Sequence, residues 1–134
     1  MYFLDTNILI YYLKGLYGVK DSLHKHKLST YKVPAIVKAE LLAGAYKSKK
    51  RVDTLEKAND LLQHFEIIPF DDSSTIIFAE IKSTLESRGI IIGPYDLIIA
   101  STVIAHKGIL LTNNTKEFSR VDNLNIKNSN WLGG

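Results

Sequence analysis

The stretch YFLDTNILIYYL, residues 2–13, changes its hydrophobic period at a carboxylate, and that change decides the fold. Tyr2-Phe3-Leu4 is a short continuous apolar run, the pattern of a buried strand. Ile8, Leu9, Tyr11, Tyr12 and Leu13 then recur at helical spacing as far as Gly15, a residue suited to ending a helix. Strand and helix meet at Asp5-Thr6-Asn7. Asp caps helices well, so an N-cap is one account of Asp5. The carboxyl ends of strands are also where open parallel sheets bind their ligands, which gives the same residue a second reading.

The alternation of strand and helix continues outward from this junction. A lysine-rich helix and loop over residues 19–32 precede a short apolar strand at 33–36, where Pro34 indicates an edge strand or a strand start. A helix from Val37 and a second over 51–65 form a hairpin with its tip at 47–51. Residues 66–70 read as the next strand, and Asp72-Ser73-Ser74 caps a helix that runs through Leu85 and stops near Gly89. Gly93-Pro94 opens another helix, with proline in the first turn where its missing N–H costs nothing, and that helix runs to Gly108. Residues 109–112 form a strand, Asn113-Asn114 a turn, and 124–127 a final short strand. Strands alternating with helices predict an α/β domain with a mainly parallel sheet. A chain of 134 residues suits one domain, expected over 1–134.

Composition excludes several classes of chemistry. Hydrophobic residues make up 46% and charged ones 23%, the balance of an ordinary globular protein. With no cysteine there are no disulfides, no Cys-ligated zinc and no thiol catalysis. No stretch approaches the roughly 18 apolar residues of a membrane span, and a cytoplasmic protein is expected. A net charge of +3 is compatible with a polyanionic partner. His24 and His26 lie in a lysine-rich stretch and His64 and His106 near helix ends, so solvated or capping roles fit them better than zinc ligation.

Two more acids resemble Asp5 in lying against apolar surroundings. Glu40 sits inside a helix with Ile36, Val37, Ala43 and Gly44 at the flanking helical positions. An ionised carboxylate there costs several kcal/mol unless it is paired, hydrogen-bonded or bound to a cation. A lysine partner from elsewhere is one solution. The small residues Ala43 and Gly44 leave space that suits an ion and its waters. Asp96 has Ile92, Gly93, Ile99 and Ala100 as helical neighbours, and a helix N-terminus would also favour it. Three separated segments each bringing one acid towards a sheet edge favour a hard cation on oxygen ligands, Mg²⁺ or Mn²⁺.

With these residues in view, the chain resembles the PIN-domain superfamily and, within it, the VapC-type toxin ribonucleases of toxin–antitoxin pairs. The segments that carry the resemblance are FLDTNILI, AELLAGA, GPYDLIIASTVIAHKGILLTNN and TKEFSRVDNLNIKNSNW, in the family's order and spanning nearly the whole chain. The resemblance implies a three-layer sandwich with the parallel sheet flanked by helices, and metal-dependent hydrolysis of RNA to 5′-phosphate and 3′-hydroxyl ends. It places the family's acids on Asp5, Glu40 and Asp96, with Thr6 and Asn7 supporting them. Some members carry the fourth acid third in the strand-end motif, where this chain has Asn114 after Thr112 and Asn113. Others carry it just before the phenylalanine, at Glu117, and the fourth role is assigned there. A cognate antitoxin covering the site or a neighbouring groove, and a homodimer, are also implied. The alternative is a PIN-like module that binds RNA or protein without cutting. Lys47, Lys49, Lys50 and Arg51, and the lysines between 20 and 32, are candidate phosphate contacts or solvated faces.

Overall fold

A computed structural model describes residues 1–128. Residues 129–134, the end of the expected domain and of the fourth resembling segment with its Ser129-Asn130-Trp131, lie outside the described residues. In chain order the elements are β1 (Tyr2–Leu4), α1 (Thr6–Lys14), α2 (Val19–Leu23), a 3₁₀ turn (Leu28–Thr30), β2 (Tyr31–Pro34), α3 (Ala35–Tyr46) and α4 (Arg51–Leu62). Then come β3 (Glu66–Ile68), α5 (Asp72–Ser87), α6 (Pro94–Ala105), β4 (Ile109–Leu111), α7 (Thr115–Phe118) and β5 (Asn125–Lys127). The strands form one sheet in the order β3-β2-β1-β4-β5, with every neighbouring pair parallel.

That order places the site. From β1 the chain steps outward to β2 and β3, with α1 to α4 in the connections, and then returns through α5 and α6 to β4 on the other side of β1. Right-handed crossovers put these two sets of helices on opposite faces of the sheet, which gives three layers. Strand order reverses between β1 and β4, so their carboxyl ends flank the crevice in which doubly wound sheets bind ligands. Asp5 follows β1 and Thr112 follows β4.

Burial explains why short strands suffice. Phe3, Leu4, Val33, Leu110 and Leu111 pack against Ile8, Leu9, Val37, Ile99, Ala100 and Val103, all fully buried. Each such aliphatic or aromatic side chain contributes about 1.5–3 kcal/mol on burial. Two polar residues of helix α6, Ser101 and Thr102, are buried. Ser101 and Thr102 donate their hydroxyls to the carbonyls of Leu97 (2.6 Å) and Ile98 (2.9 Å), so neither is left unpaired. Gly108, just before β4, lets the backbone pass the Phe3 ring, since a Cβ there would clash with it.

Several boundaries differ from the sequence expectation. Strand β2 is 31–34 and not 33–36, and it lies between β1 and β3, so Pro34 marks neither an edge nor a start. Tyr31 is fully buried, with its hydroxyl donating to the Leu23 carbonyl at 2.8 Å. Lys32 stands opposite Glu66 in register and pairs with it at 2.7 Å, which makes a lysine acceptable in the strand. Pro34 ends the strand and occupies the N-cap position of α3, where its missing N–H costs little. The cap of α5 is Asp71, one residue earlier than expected, and its carboxylate accepts from the Ser74 N–H at 3.1 Å. The strand expected over 66–70 ends at Ile68, and the last strand begins at Asn125. Helix α7 is an addition.

Candidate active site

Asp5 is both a cap and a buried carboxylate. It is only 5% exposed. Its N–H extends the β1–β4 ladder to the Leu111 carbonyl at 3.2 Å, which anchors the residue in the sheet. The Oδ1 atom accepts from the Thr6 N–H at 2.8 Å, and Oδ2 accepts from the buried Thr112 hydroxyl at 2.7 Å. Thr112 Oγ1 in turn accepts the Asn114 N–H at 2.9 Å, so the turn after β4 is tied to the acid that follows β1. Burial raises the Asp5 pKa above its ordinary value, the bonds from Thr112 and Thr6 oppose this, and the charges of Glu40 and Glu117 add to it.

Glu40 reaches the same place from α3. Its Oε1 accepts from the Thr6 hydroxyl at 2.9 Å, and no lysine pairs with it among the described residues. Beside it opens a groove of about 510 Å³ between α1, α3 and α4, with Ile10, Leu13, Leu41 and Ala45 among its apolar lining. The small residues Ala43 and Gly44 are exposed.

Asp96 occupies the first turn of α6, as the helix-terminus reading expected. Its pKa is pushed up to about 8, first by burial, then by its hydrogen bond with Glu117, then by the charges of Glu117, Asp5 and Glu40. These causes favour the protonated form of Asp96, hydrogen-bonded to Glu117. Glu117 is held below its ordinary value, first by that same bond. Its Oε1 accepts from the Gly93 N–H at 3.4 Å and its Oε2 from the Asn114 amide at 3.0 Å, while Arg120 adds a favourable charge. Asn114 thus orients the neighbouring acid through a hydrogen bond.

The structure brings Asp5, Glu40, Asp96 and Glu117 together, with Thr6, Thr112 and Asn114 as hydrogen-bonding supports. Asn7 is exposed on the first turn of α1, and Asn113 is half-buried after β4. Lys47 lines the groove beside Glu40, whereas Lys49, Lys50 and Arg51 lie exposed at the hairpin tip and do not join the acids. Arg51 instead donates to the Tyr46 carbonyl at 2.9 Å. His106 fills the expected capping role at the end of α6, with Nδ1 2.8 Å from the Thr102 carbonyl, and His24 meets the Tyr12 hydroxyl at 2.7 Å. Gly93 is the contributor that sequence reasoning missed. A glycine directly before a helix-opening proline, with its N–H free for a carboxylate, was the available signal.

Among the described residues no three His, Cys, Asp or Glu side chains close tightly enough to surround one ion by themselves. No ion pair to any of the four acids is seen among those residues either. The gathered carboxyl groups repel one another, which is part of what raises the Asp96 pKa. The donors are all oxygens. That set suits a hard cation taken by one or two carboxylates directly and by the others through water.

A parallel α/β sheet with carboxyl groups gathered at its switch point defines an acidic, cation-accepting class of site. The chain belongs to the PIN-domain family, whose profile matches residues 2–124. It is 40% identical over 132 residues to a ribonuclease VapC2 of Rickettsia felis, covering 96% of this chain and 97% of that protein. It is 32% identical over 131 residues to a ribonuclease VapC2 of Haemophilus influenzae, with 98% of each covered. Among solved structures it resembles the VapBC2 complex of Rickettsia felis bound to a promoter DNA fragment, with a TM-score of 0.87, 39% identity, and 95% and 97% of the two chains covered.

Proposed function

We propose that this chain is a divalent-metal-dependent endoribonuclease and the toxin of a toxin–antitoxin pair. The observation that carries this reading is the convergence of Asp5, Glu40, Asp96 and Glu117 on the crevice between β1 and β4, with no paired cation among the described residues. The names of its relatives support the nuclease class, and the VapBC2 complex among its structural neighbours supports the partner.

Asp5, Glu40 and Asp96 would hold Mg²⁺ or Mn²⁺, with Glu117 as the fourth acid. Such an ion, when bound, lowers the pKa of a water and stabilises charge on the phosphoryl oxygens of RNA. The chain's own groups prepare the place. Thr112 and the Thr6 N–H orient Asp5, the Thr6 hydroxyl orients Glu40, and Gly93 and Asn114 orient Glu117. A cation held there would favour ionisation of Asp96, which burial and the charges of Glu117, Asp5 and Glu40 otherwise oppose.

A segment of the antitoxin would lie in the groove between α1, α3 and α4, where an arginine reaching Glu40 competes with metal. The toxin would pair as a homodimer. Of the apolar residues available for such contacts, Tyr46 is exposed and Tyr11, Tyr12 and Leu42 are half-buried, while Ile8 and Leu41 belong to the core. The test is cleavage of RNA in Mg²⁺ or Mn²⁺ by the unaltered chain, Asp5→Ala and Asp96→Asn. Cleavage is expected only from the unaltered chain with metal. Equal cleavage in EDTA, or by both variants, overturns the mechanism.

A further inference from the structure

The corner between α1 and α2 has features that neither the core nor the acid site explains. Tyr17 is 70% exposed, yet its backbone is left-handed, with φ of 58°. A bulky residue rarely adopts that conformation. Gly15 and Gly18 are left-handed on either side, so the loop is built to turn Tyr17 outward. Its ring meets Tyr11 edge to face, with centroids 4.7 Å apart, and most of it remains in solvent.

Charge is concentrated in the same stretch of chain. Lys14, Lys20, Lys25 and Lys27 against Asp21 give residues 14–27 a charge of +3, which is the net charge of the whole chain, so the remainder sums to zero. All four lysines are exposed, and none forms an ion pair among the described residues. Lys20 also sits 5.7 Å over the Tyr12 ring. An exposed aromatic ring beside unpaired lysines is the combination by which proteins hold single-stranded nucleic acid.

Helix α1 connects this corner to the acids. It starts at Thr6 beside Asp5 and spans nine residues, so it is about 13 Å long. That is roughly four nucleotides at the 3.4 Å spacing of a stacked strand. We infer that a single RNA strand engaged at the acids extends along α1 to this corner, where Tyr17 stacks on a base and Lys14, Lys20, Lys25 and Lys27 contact phosphates. The inference rests on the ribonuclease reading above.

Binding in Ca²⁺, a hard cation offered to the acids in place of Mg²⁺ with the RNA checked to remain uncut, tests it apart from cleavage. Affinity is measured for labelled single-stranded RNAs of about four and about twelve nucleotides, within the range of single-strand site sizes. The unaltered chain gains affinity with length. In Tyr17→Asn, a substitution suited to left-handed backbone, that gain shrinks by about tenfold or more, the loss expected of one stacked base. Tyr17→Phe keeps it. Replacing Lys20 and Lys25 together with Gln lowers the slope of log affinity against log salt by about 1.4. An equal gain with length in Tyr17→Asn and the unaltered chain, or a Phe variant that falls as far as Asn, overturns the inference. Absence of metal-dependent cleavage by the unaltered chain would instead overturn the ribonuclease reading.

Discussion

Replacing Asp96 by Asn should make the metal-free protein more stable at pH 8 while abolishing its activity. In the folded chain the Asp96 carboxyl titrates near 8, against 3.8 ordinarily. Between those values the folded state keeps a proton that the unfolded chain has lost, so stability falls as pH rises from about 4 to 8. At 1.36 kcal/mol per unit the full shift corresponds to an upper bound of about 6 kcal/mol. Asp96 is only half-buried, and solvent screening on its open side reduces this to about 2–3 kcal/mol. Asparagine cannot ionise, and its amide can still donate to Glu117.

The Glu117 pKa is shifted the other way, so its contribution is lost only in acid and leaves the window above pH 5 undisturbed. Asp5, raised by burial, keeps part of the pH slope in the variant. The assay is urea unfolding in EDTA at steps from pH 5 to pH 8.5. With urea m-values of 1–3 kcal/mol/M, the Asp96→Asn midpoint should exceed that of the unaltered chain by about 1–2 M at pH 8, with the gap narrowing steadily towards pH 5. Adding Mn²⁺ should raise only the unaltered chain appreciably. A pH-independent midpoint for the unaltered chain, or a variant that is less stable at pH 8, would refute the reasoning.

Thr112→Val keeps the shape but leaves Asp5 Oδ2 and the Asn114 N–H without their buried partner; the expected loss is about 2–3 kcal/mol by thermal unfolding in EDTA, together with a higher Mn²⁺ requirement for cleavage. Gly108→Ala drives a methyl into the Phe3 ring at the centre of the sheet, and circular-dichroism melting should report destabilisation of about 1–3 kcal/mol with metal dependence unchanged. Reversing Lys49, Lys50 and Arg51 to Glu tests whether the hairpin tip binds phosphate: for every phosphate no longer neutralised, the salt slope for RNA binding should fall by about 0.7, and an unchanged slope removes the tip from the footprint.

What could be read in advance followed from local signals. The change of period at Asp5, Pro94 opening α6 and apolar residues at helical spacing gave the alternation of elements, and alternation implies a parallel sheet. Strand β2 was misplaced because its evidence is not local. Lys32 looks like loop until register brings Glu66 opposite it, and Tyr31 until its hydroxyl finds the Leu23 carbonyl at the end of α2, eight positions earlier. The apolar run 33–36 crosses the boundary between strand and helix, so periodicity alone could not divide it.

The site divides along the same line. Asp5, Glu40 and Asp96 were visible because each sits among apolar neighbours within its own segment, where an isolated charge is expensive. Glu117 has no such mark. It lies in a four-residue helix, and its role depends on Asp96, 21 positions earlier in the sequence, on the Gly93 N–H, and on an Asn114 side chain that by sequence looked like the rival acid. Burial by neighbours in sequence could therefore pick out three acids but not the fourth. If Asn114 serves to hold Glu117 against Asp96, Asn114→Ala should lower the apparent affinity for Mn²⁺ in cleavage assays, whereas Asn114→Asp should add a like charge and raise the pH at which Glu117 ionises. Equal Mn²⁺ dependence in Asn114→Ala and the unaltered chain would leave Glu117 positioned by Asp96 and Gly93 without Asn114.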